Sequence, residues 1–278
     1  MSVLEVAPHG AELLDDPRAP APSVRESLRN IARANRWLGG AAAVRYALRR
    51  VIPAGLTRPL SLIDVGTGAG DLPRMAGRWA ARRGIPLRPV GLEASGVAAR
   101  LAREQGILCV VGDGGVLPLR DRSVDYVLLS QIAHHFSPPA IVRLFRECAR
   151  VARRALIVCD LRRSRLAAWC FPLAGSALRF DRHTIRDGVT SLERGFTVEG
   201  LTRLLAAAGL VANVVRRPGS RLVAIAWVPG VREPGVGNRE SGVGGHIGNP
   251  LANPMSGSAT PDSRTSLPDS RFPAPDSR

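Results

Sequence analysis

Lysine is absent from this chain of 278 residues, and all 39 of its basic side chains are arginine. Exclusive use of arginine indicates a GC-rich coding bias, so part of the formal net charge of +16 carries no functional meaning. We therefore expect a solvated basic surface and no nucleic-acid groove. Such a surface would still attract phosphates or acidic partners by long-range electrostatics.

Paired cysteines, a secretory leader and a membrane-spanning run are missing as well. No two cysteines form a C-x-x-C pair, so neither a zinc motif nor a disulfide framework is indicated. We expect small core residues in a reducing compartment at Cys109, Cys148, Cys159 and Cys170. Residues 1–20 are mixed in character, and the apolar uncharged stretch 166–178 is too short to span a bilayer. These absences predict a cytoplasmic protein without a membrane span or a metal ion.

The composition changes at Pro229, after which Gly, Pro, Ser and Asn dominate. Pro-Asp-Ser-Arg recurs at 261–264, 268–271 and 275–278. So little apolar material cannot offset the entropy of ordering the chain, and we expect a disordered tail over 229–278. The remainder divides into an N-terminal segment with a helical cap, 1–57, and one domain, 58–228.

The most informative segment is 61–71, Ser-Leu-Ile-Asp-Val-Gly-Thr-Gly-Ala-Gly-Asp. Its aliphatic start predicts a buried strand, and the glycines at 66, 68 and 70 allow a sharp turn into a helix whose free N–H groups can face a ligand. A dinucleotide fingerprint requires Gly or Ala at the position of Asp71. The spacing therefore disfavours a nicotinamide enzyme.

The pattern Asp64-x-Gly66-x-Gly68-x-Gly70 resembles motif I of the class I S-adenosylmethionine-dependent methyltransferases. Residues 117–125, Leu-Pro-Leu-Arg-Asp-Arg-Ser-Val-Asp, resemble a second phrase of the small-molecule members. The resemblance covers about 58–228 and implies a doubly wound α/β fold with a seven-stranded, mostly parallel sheet. The apolar runs place these strands at 61–65, 88–93, 107–111, 123–130, 155–160, 211–216 and 221–227.

Helical spacing fills most of the intervals between these strands. It predicts helices at 71–83, 95–105, 138–151 and 198–208, preceded by an N-terminal pair at 23–38 and 41–51. Ser23 and Glu26 fit a capping box at the start of the first of these. Residues 181–197 are predicted as a connection.

Carboxylates at strand ends are the candidate ligands of the cofactor. Glu93 ends the second strand, where an acidic side chain commonly binds the ribose diol. The resemblance implies that Asp113, after the third strand, accepts a hydrogen bond from the adenine amino group, and that Asp64, Gly66, Gly68 and Gly70 belong to the same site. A turn cap at Asp64 and a surface acid at Glu93 are the structural alternatives.

The stretch Ser130-Gln-Ile-Ala-His-His-Phe136 follows the fourth strand and faces the ligand crevice of such a sheet. The resemblance implies that the methionine part of the cofactor lies against Ser130 and Gln131 and that the acceptor lies close by. His134 and His135 are candidates for a general base, with His135 favoured. A packing role for each is the alternative.

Two further regions bear on the acceptor. Trp37 and Tyr46 are candidates for its pocket, and the apolar segment 166–179, in the place of a family lid, favours a hydrophobic or aromatic molecule. Arg182, His183 and Arg194 could bind an acidic group on it. Residues 30–40 resemble the start of bacterial methyltransferases encoded beside type III polyketide synthases, which makes such a synthase a candidate pathway partner.

The sequence thus predicts methyl transfer from S-adenosylmethionine to a small aromatic or polyketide-like acceptor, on oxygen rather than carbon. Two alternatives stay open: a methyltransferase for RNA or another macromolecule, and an inactive cofactor-binding regulator of a partner enzyme. The pattern leaves the oligomeric state undetermined.

Overall fold

The computed structural model describes residues 12–231 with the exception of 17, 54 and 57. The predicted tail beyond residue 231 therefore lies outside the described part. The sheet has seven strands: β1 Leu60–Val65, β2 Leu87–Glu93, β3 Leu108–Val111, β4 Val124–Ser130, β5 Ala152–Leu161, β6 Ala212–Arg217 and β7 Arg221–Trp227. Their spatial order is β3-β2-β1-β4-β5-β7-β6, and only the pairings of β7 are antiparallel. This confirms the predicted fold class.

Helices cover both faces of the sheet within the described residues. They are α1 Ala21–Trp37, α2 Gly40–Val51, α3 Asp71–Ala81, α4 Gly96–Glu104, α5 Pro138–Val151, α6 Arg165–Ala177, α7 Arg182–Arg194 and α8 Val198–Ala207. In this part of the chain no helix is long and apolar enough to cross a bilayer.

Two helical predictions are wrong. The connection predicted at 181–197 contains α7, whose buried residues are only Thr184, Ser191 and Leu192, so it lacks the apolar stripe that marks a helix in sequence. The first helix begins at Ala21 after Pro20, with Pro22 in its first turn, and Ser23 is not its cap. Proline fits a first turn because the N–H that it lacks has no intrahelical partner there.

The core has two layers, one on each face of the sheet. Successive side chains of a strand point to opposite faces, so in β4 Val127 and Leu129 pack in one layer and Tyr126 and Leu128 in the other. Three of the four cysteines are buried as predicted, but Cys170 on α6 is exposed, which contradicts its expected core position.

The order of the strands fixes where a ligand binds. The chain progresses in one direction through β1, β2 and β3 and in the other through β4 and β5, so the topology reverses between β1 and β4. In open α/β sheets the crevice at the carboxyl ends of such neighbouring strands is the usual binding site. The carboxyl ends of β1, β2, β3 and β4 and the loops that follow them carry the predicted cofactor residues and the two candidate histidines.

Candidate active site

The loop between β1 and α3 depends on its glycines for its conformation. Gly66, Gly68 and Gly70 have φ angles of +73°, +55° and +76°, in the left-handed region that side chains rarely adopt. A Cβ atom at position 66 would lie 2.0 Å from Cδ1 of Ile132, which follows β4. The glycine loop, residues 66–70, therefore packs directly against the segment that carries the two histidines.

Glu93 connects the glycine loop to the helix that follows β2. Its Oε2 accepts a hydrogen bond from the Gly68 N–H at 2.8 Å, and its Oε1 accepts one from the Ser95 N–H at 3.0 Å. A carboxylate oxygen can accept more than one hydrogen bond. Each oxygen thus keeps capacity for a ribose hydroxyl, and the carboxylate is already held in place at the strand end.

Asp64 is almost fully buried at the end of β1. Its Oδ2 accepts a hydrogen bond from the Thr67 hydroxyl at 2.9 Å, whereas Oδ1 has no partner among the described residues. Burial raises the pKa of Asp64 to about 8, because the hydrogen bond from Thr67 does not compensate for lost hydration and the carboxylates of Asp71 and Glu93 add repulsion. A positively charged ligand group beside Asp64 would therefore stabilise the ionised form of its carboxyl group.

Ser130 and Asp113 lie at the carboxyl ends of β4 and β3, which β1 and β2 separate in the sheet. Ser130 ends β4, beside β1, and its buried Oγ also has no partner within the described region. Asp113 follows β3, and its Oδ1 accepts a hydrogen bond from the Gly115 N–H at 2.7 Å. Buried polar atoms are nearly always satisfied in proteins, so the atoms left over at Asp64 and Ser130 are the ones that fit a ligand.

Gln131 is part of a polar chain that fastens α1 to the crevice. Its Oε1 accepts a hydrogen bond from Arg221 at 2.6 Å, and its amide nitrogen donates to Asn35 of α1. Asn35 in turn donates to Asp71 Oδ2 at 3.0 Å. Gln131 has a φ of +56°, an uncommon backbone conformation that often occurs at functional sites. Both ends of its side-chain amide are bonded within the protein, and the predicted cofactor contact of Gln131 stays a prediction.

Both histidines are oriented by carboxylates through Nδ1. His134 Nδ1 lies 2.6 Å from Asp160 Oδ1, and Asp160, fully buried at the end of β5, also accepts the Ala133 N–H. His135 Nδ1 lies 2.9 Å from Asp15 Oδ1. Burial alone would lower the pKa of His135, but the hydrogen bond to Asp15 and the charge of Glu12 outweigh it and raise that pKa.

The N-terminal segment 12–16 covers the histidine pair. Leu13 donates its N–H to Asp187 of α7 at 3.1 Å, and Ser191 Oγ donates to Glu12 Oε1 at 2.8 Å. Arg194 forms ion pairs with both Glu12 and Asp15 at 3.5 and 3.7 Å. Arg194 was predicted to bind an acidic group of the acceptor. In the structure, two carboxylates of the chain itself, Glu12 and Asp15, occupy that role.

Sequence reasoning missed Glu12, Asp15, Asp160 and Asn35 as members of the site. The first two lie more than one hundred positions from His135 along the chain, and no local pattern joins them to it. Of these four, only Asn35 could have been noticed in the sequence, because it is a polar residue on the otherwise apolar face of the predicted helix 23–38.

The predicted pocket aromatics and lid have other surroundings. Trp37 is 64% exposed, and Tyr46 lines a cavity of about 180 Å³ against β6 and β7. In the lid segment, α6 packs on α7 through Phe171, which meets Gly188, while Trp169 on its other side is 81% exposed. None of these side chains is placed in the crevice by a described contact.

Comparison with known proteins supports this interpretation of the site. Residues 63–158 match the family model of a methyltransferase domain, and the match contains the glycine loop, Glu93, Asp113 and the histidine pair. This stretch of the chain is thus similar to a methyltransferase domain. Its cofactor is S-adenosylmethionine, and the glycine loop, the held carboxylate of Glu93 and the unpartnered atoms of Asp64 and Ser130 fit that molecule.

Solved structures agree with this at the level of the fold. A SAM-dependent methyltransferase from Aquifex aeolicus is 17% identical with a TM-score of 0.53, over 75% of this chain and 98% of that one. The chain solved in complex with the Trm112 methyltransferase activator of Haloferax volcanii is 16% identical with a TM-score of 0.52, over 75% and 97%. No curated protein sequence matches this chain.

Proposed function

We propose that the protein transfers the methyl group of S-adenosylmethionine to a small aromatic or polyketide-like acceptor, on an oxygen atom. The observation that carries this proposal is the carboxylate-oriented histidine pair beside the glycine loop and beneath the N-terminal segment. When bound, the cofactor supplies an electrophilic methyl group on a positively charged sulfur.

The cover over the crevice favours a small acceptor. Leu28 of α1 lies 3.1 Å from the position of a Cβ atom on Gly68, and segment 12–16 lies over His135. A crevice covered from two directions suits a molecule that can be enclosed and poorly suits a folded nucleic acid. Enclosure also orients the acceptor oxygen, and orientation is the main contribution of a protein to a displacement reaction.

The histidine pair supports methylation of a hydroxyl group. A hydroxyl must lose its proton as it attacks, and an imidazole is the usual base near neutral pH. With Nδ1 of His135 held by Asp15, only Nε2 can accept a proton, and the carboxylate stabilises the imidazolium that results. We therefore assign the proton transfer to Nε2 of His135, with Asp15 as its positioning residue.

The experiment is a panel of phenolic and polyketide acceptors incubated with cofactor that carries a labelled methyl group. Wild-type protein should label at least one acceptor, and His135→Ala should lower kcat by about 10²-fold or more, in line with loss of a general base. The control is Glu193→Gln, an exposed side chain on α7 with no proposed role in the site, which should retain full activity. Full activity of His135→Ala would remove His135 from the mechanism.

The two alternative functions, an RNA methyltransferase and an inactive regulator, predict different results in binding and labelling experiments. An RNA methyltransferase would bind RNA at low salt and lose affinity steeply as the salt concentration rises. An inactive regulator would bind adenosylhomocysteine in a calorimeter, label no acceptor and copurify with a partner such as a polyketide synthase.

A further inference from the structure

Glu12, His134 and His135 form a cluster with the composition of a metal centre. One ligand atom from each lies within 4.8 Å of the other two. Two imidazoles and one carboxylate are a common protein ligand set for Zn²⁺ and other divalent first-row metals, and such a set leaves positions open for a further ligand. We propose that these three side chains bind a divalent transition-metal cation.

The free nitrogen of His134 is the first independent support. His134 is only 4% exposed, and its Nε2 has no hydrogen-bond partner among the described residues. A buried polar atom without a partner costs free energy, so one that persists is explained by a ligand. A metal cation at the cluster would use the lone pair on this nitrogen.

The hydrogen bonds around the cluster are those of ligands already oriented for a metal. Metal-binding histidines nearly always donate their other ring N–H to a carboxylate or carbonyl, which exposes the remaining nitrogen to the cation. Here Asp160 holds Nδ1 of His134 at 2.6 Å, and Asp15 holds Nδ1 of His135 at 2.9 Å. Both histidines therefore direct Nε2 away from their supporting carboxylates.

Glu12 is supported in the same way. Its Oε1 accepts from Ser191 at 2.8 Å and pairs with Arg194 at 3.5 Å, while its Oε2 faces Nε2 of His135 at 3.8 Å. Ligands of a tetrahedral zinc ion lie about 3.3–3.6 Å apart, given metal–ligand bonds of about 2.0–2.2 Å. A contraction of about 1 Å would therefore bring the donor atoms together around one ion.

The cluster is also rich in carboxylates. Glu12, Asp15 and Asp160 lie beside the two imidazoles, with Arg194 against the first two and Arg221 near the third. The sequence did not predict this site because Glu12 is remote from the histidines and the His-His dipeptide alone is not a metal motif.

One consequence rests on the proposed function. A hydroxyl group bound to such a cation loses its proton near neutral pH, so the metal would take over activation of the acceptor from the imidazole. Binding of the cation itself does not depend on the acceptor. The experiment below therefore measures the metal directly and stays informative if the panel of acceptors gives no product.

The test uses full-length protein freed of metal by chelation, with Zn²⁺ measured by mass spectrometry after dialysis and Co²⁺ followed by its visible absorption. We expect one equivalent of tightly bound metal and a Co²⁺ spectrum of low coordination number. Glu12→Gln and His135→Ala should each weaken Zn²⁺ affinity at least tenfold. Asp15→Asn, which removes the carboxylate that supports His135 but none of the three ligands, should weaken it by about 10- to 100-fold.

The controls are His183→Ala and Glu193→Gln, exposed side chains on α7 outside the cluster, which should bind metal as the wild type does. Circular dichroism of each variant without metal establishes that it folds. Absence of a stoichiometric ion in wild-type protein would overturn the proposal. Equal affinity in the wild type, Glu12→Gln and His135→Ala would overturn it as well, because the metal would then bind elsewhere.

Discussion

Replacement of Asp64 by asparagine should stabilise the protein, and should do so more strongly at higher pH. The side chain is 2% exposed, accepts one hydrogen bond from Thr67, and has a second oxygen without a partner among the described residues. Asparagine keeps the shape and the acceptor for Thr67 but has no proton to lose. The variant therefore isolates the free energy of ionising a carboxyl group at this point in the crevice.

The size of the effect follows from the pKa of Asp64, which burial raises from 3.8 to about 8. Below pH 3.8 the carboxyl group is protonated in both the folded and the unfolded chain, so it makes no difference to stability. As the pH rises from 3.8 to 8, the unfolded chain releases this proton and the folded chain keeps it, so the wild type loses stability. Each pH unit costs about 1.4 kcal/mol, and the total approaches about 4 kcal/mol at pH 7 and about 6 kcal/mol above pH 8.

Urea unfolding of wild type and Asp64→Asn between pH 5.5 and 9 measures this difference. The free-energy gap should widen by about 1.4 kcal/mol per unit up to pH 8 and then stay constant. Titrating groups that do not interact with Asp64 are shared by both proteins and cancel in the difference, whereas Asp71 and Glu93 lose their repulsion with it. A constant gap for Asp64→Asn would refute the buried, protonated carboxyl group.

Cofactor binding gives a second readout of the same group. A nearby positive charge favours the ionised form of a carboxyl group, and S-adenosylmethionine carries a sulfonium and an ammonium group. Binding should therefore release a proton from Asp64, and affinity should rise with pH up to about 8. Calorimetry in buffers of different ionisation enthalpy would detect the proton, and Asp64→Asn should release none.

Three further predictions test the remaining parts of the site. Glu93→Ala should weaken adenosylhomocysteine binding at least tenfold in calorimetry, because it removes the ribose acceptor and frees the glycine loop; unchanged affinity would exclude the ribose role. Gly66→Ala should lower stability in urea unfolding by about 1–3 kcal/mol more than Gly84→Ala, because both have positive φ but only the first places a Cβ against Ile132; equal losses would contradict the packing. Trp169→Ser should change stability by less than about 0.5 kcal/mol at its exposed position on α6, and a loss of turnover would make α6 part of the acceptor site.

The sheet and its glycine loop could be predicted because their signals are local. Parallel strands covered on both faces give continuous apolar runs, and β7 and α5 have the bounds that the sequence predicted. The glycines mark a turn that few other residues can adopt, so Gly66 and its neighbours identify the loop without any knowledge of distant contacts. Two helices of the described part, α6 and α7, are not among the predicted ones. The segment of α6 is apolar and was interpreted as a lid, whereas α7 buries mainly polar side chains and leaves no apolar period to detect.

The environment of the histidines could not be predicted, for the opposite reason. It combines segment 12–16, the end of β5 and α7, which come together only when the sheet is complete. Asp160 was assigned to a strand and Asp15 to an unremarkable N-terminus, although both carboxylates determine which histidine nitrogen is available. Hydrogen bonds between residues so far apart depend on tertiary structure and have no sequence spacing of their own.

The chemistry of the site therefore depends on one atom of each histidine. Both Nδ1 atoms are held by carboxylates, so proton transfer and metal binding compete for the same Nε2 lone pairs. A general base on His135 gives activity that survives chelation and falls as the imidazole is protonated at low pH. A metal bound by Glu12, His134 and His135 gives activity that chelation removes and Zn²⁺ restores. Because Asp15→Asn weakens both roles, Glu12→Gln is the decisive change: it removes a metal ligand but leaves the Asp15–His135 pair in place.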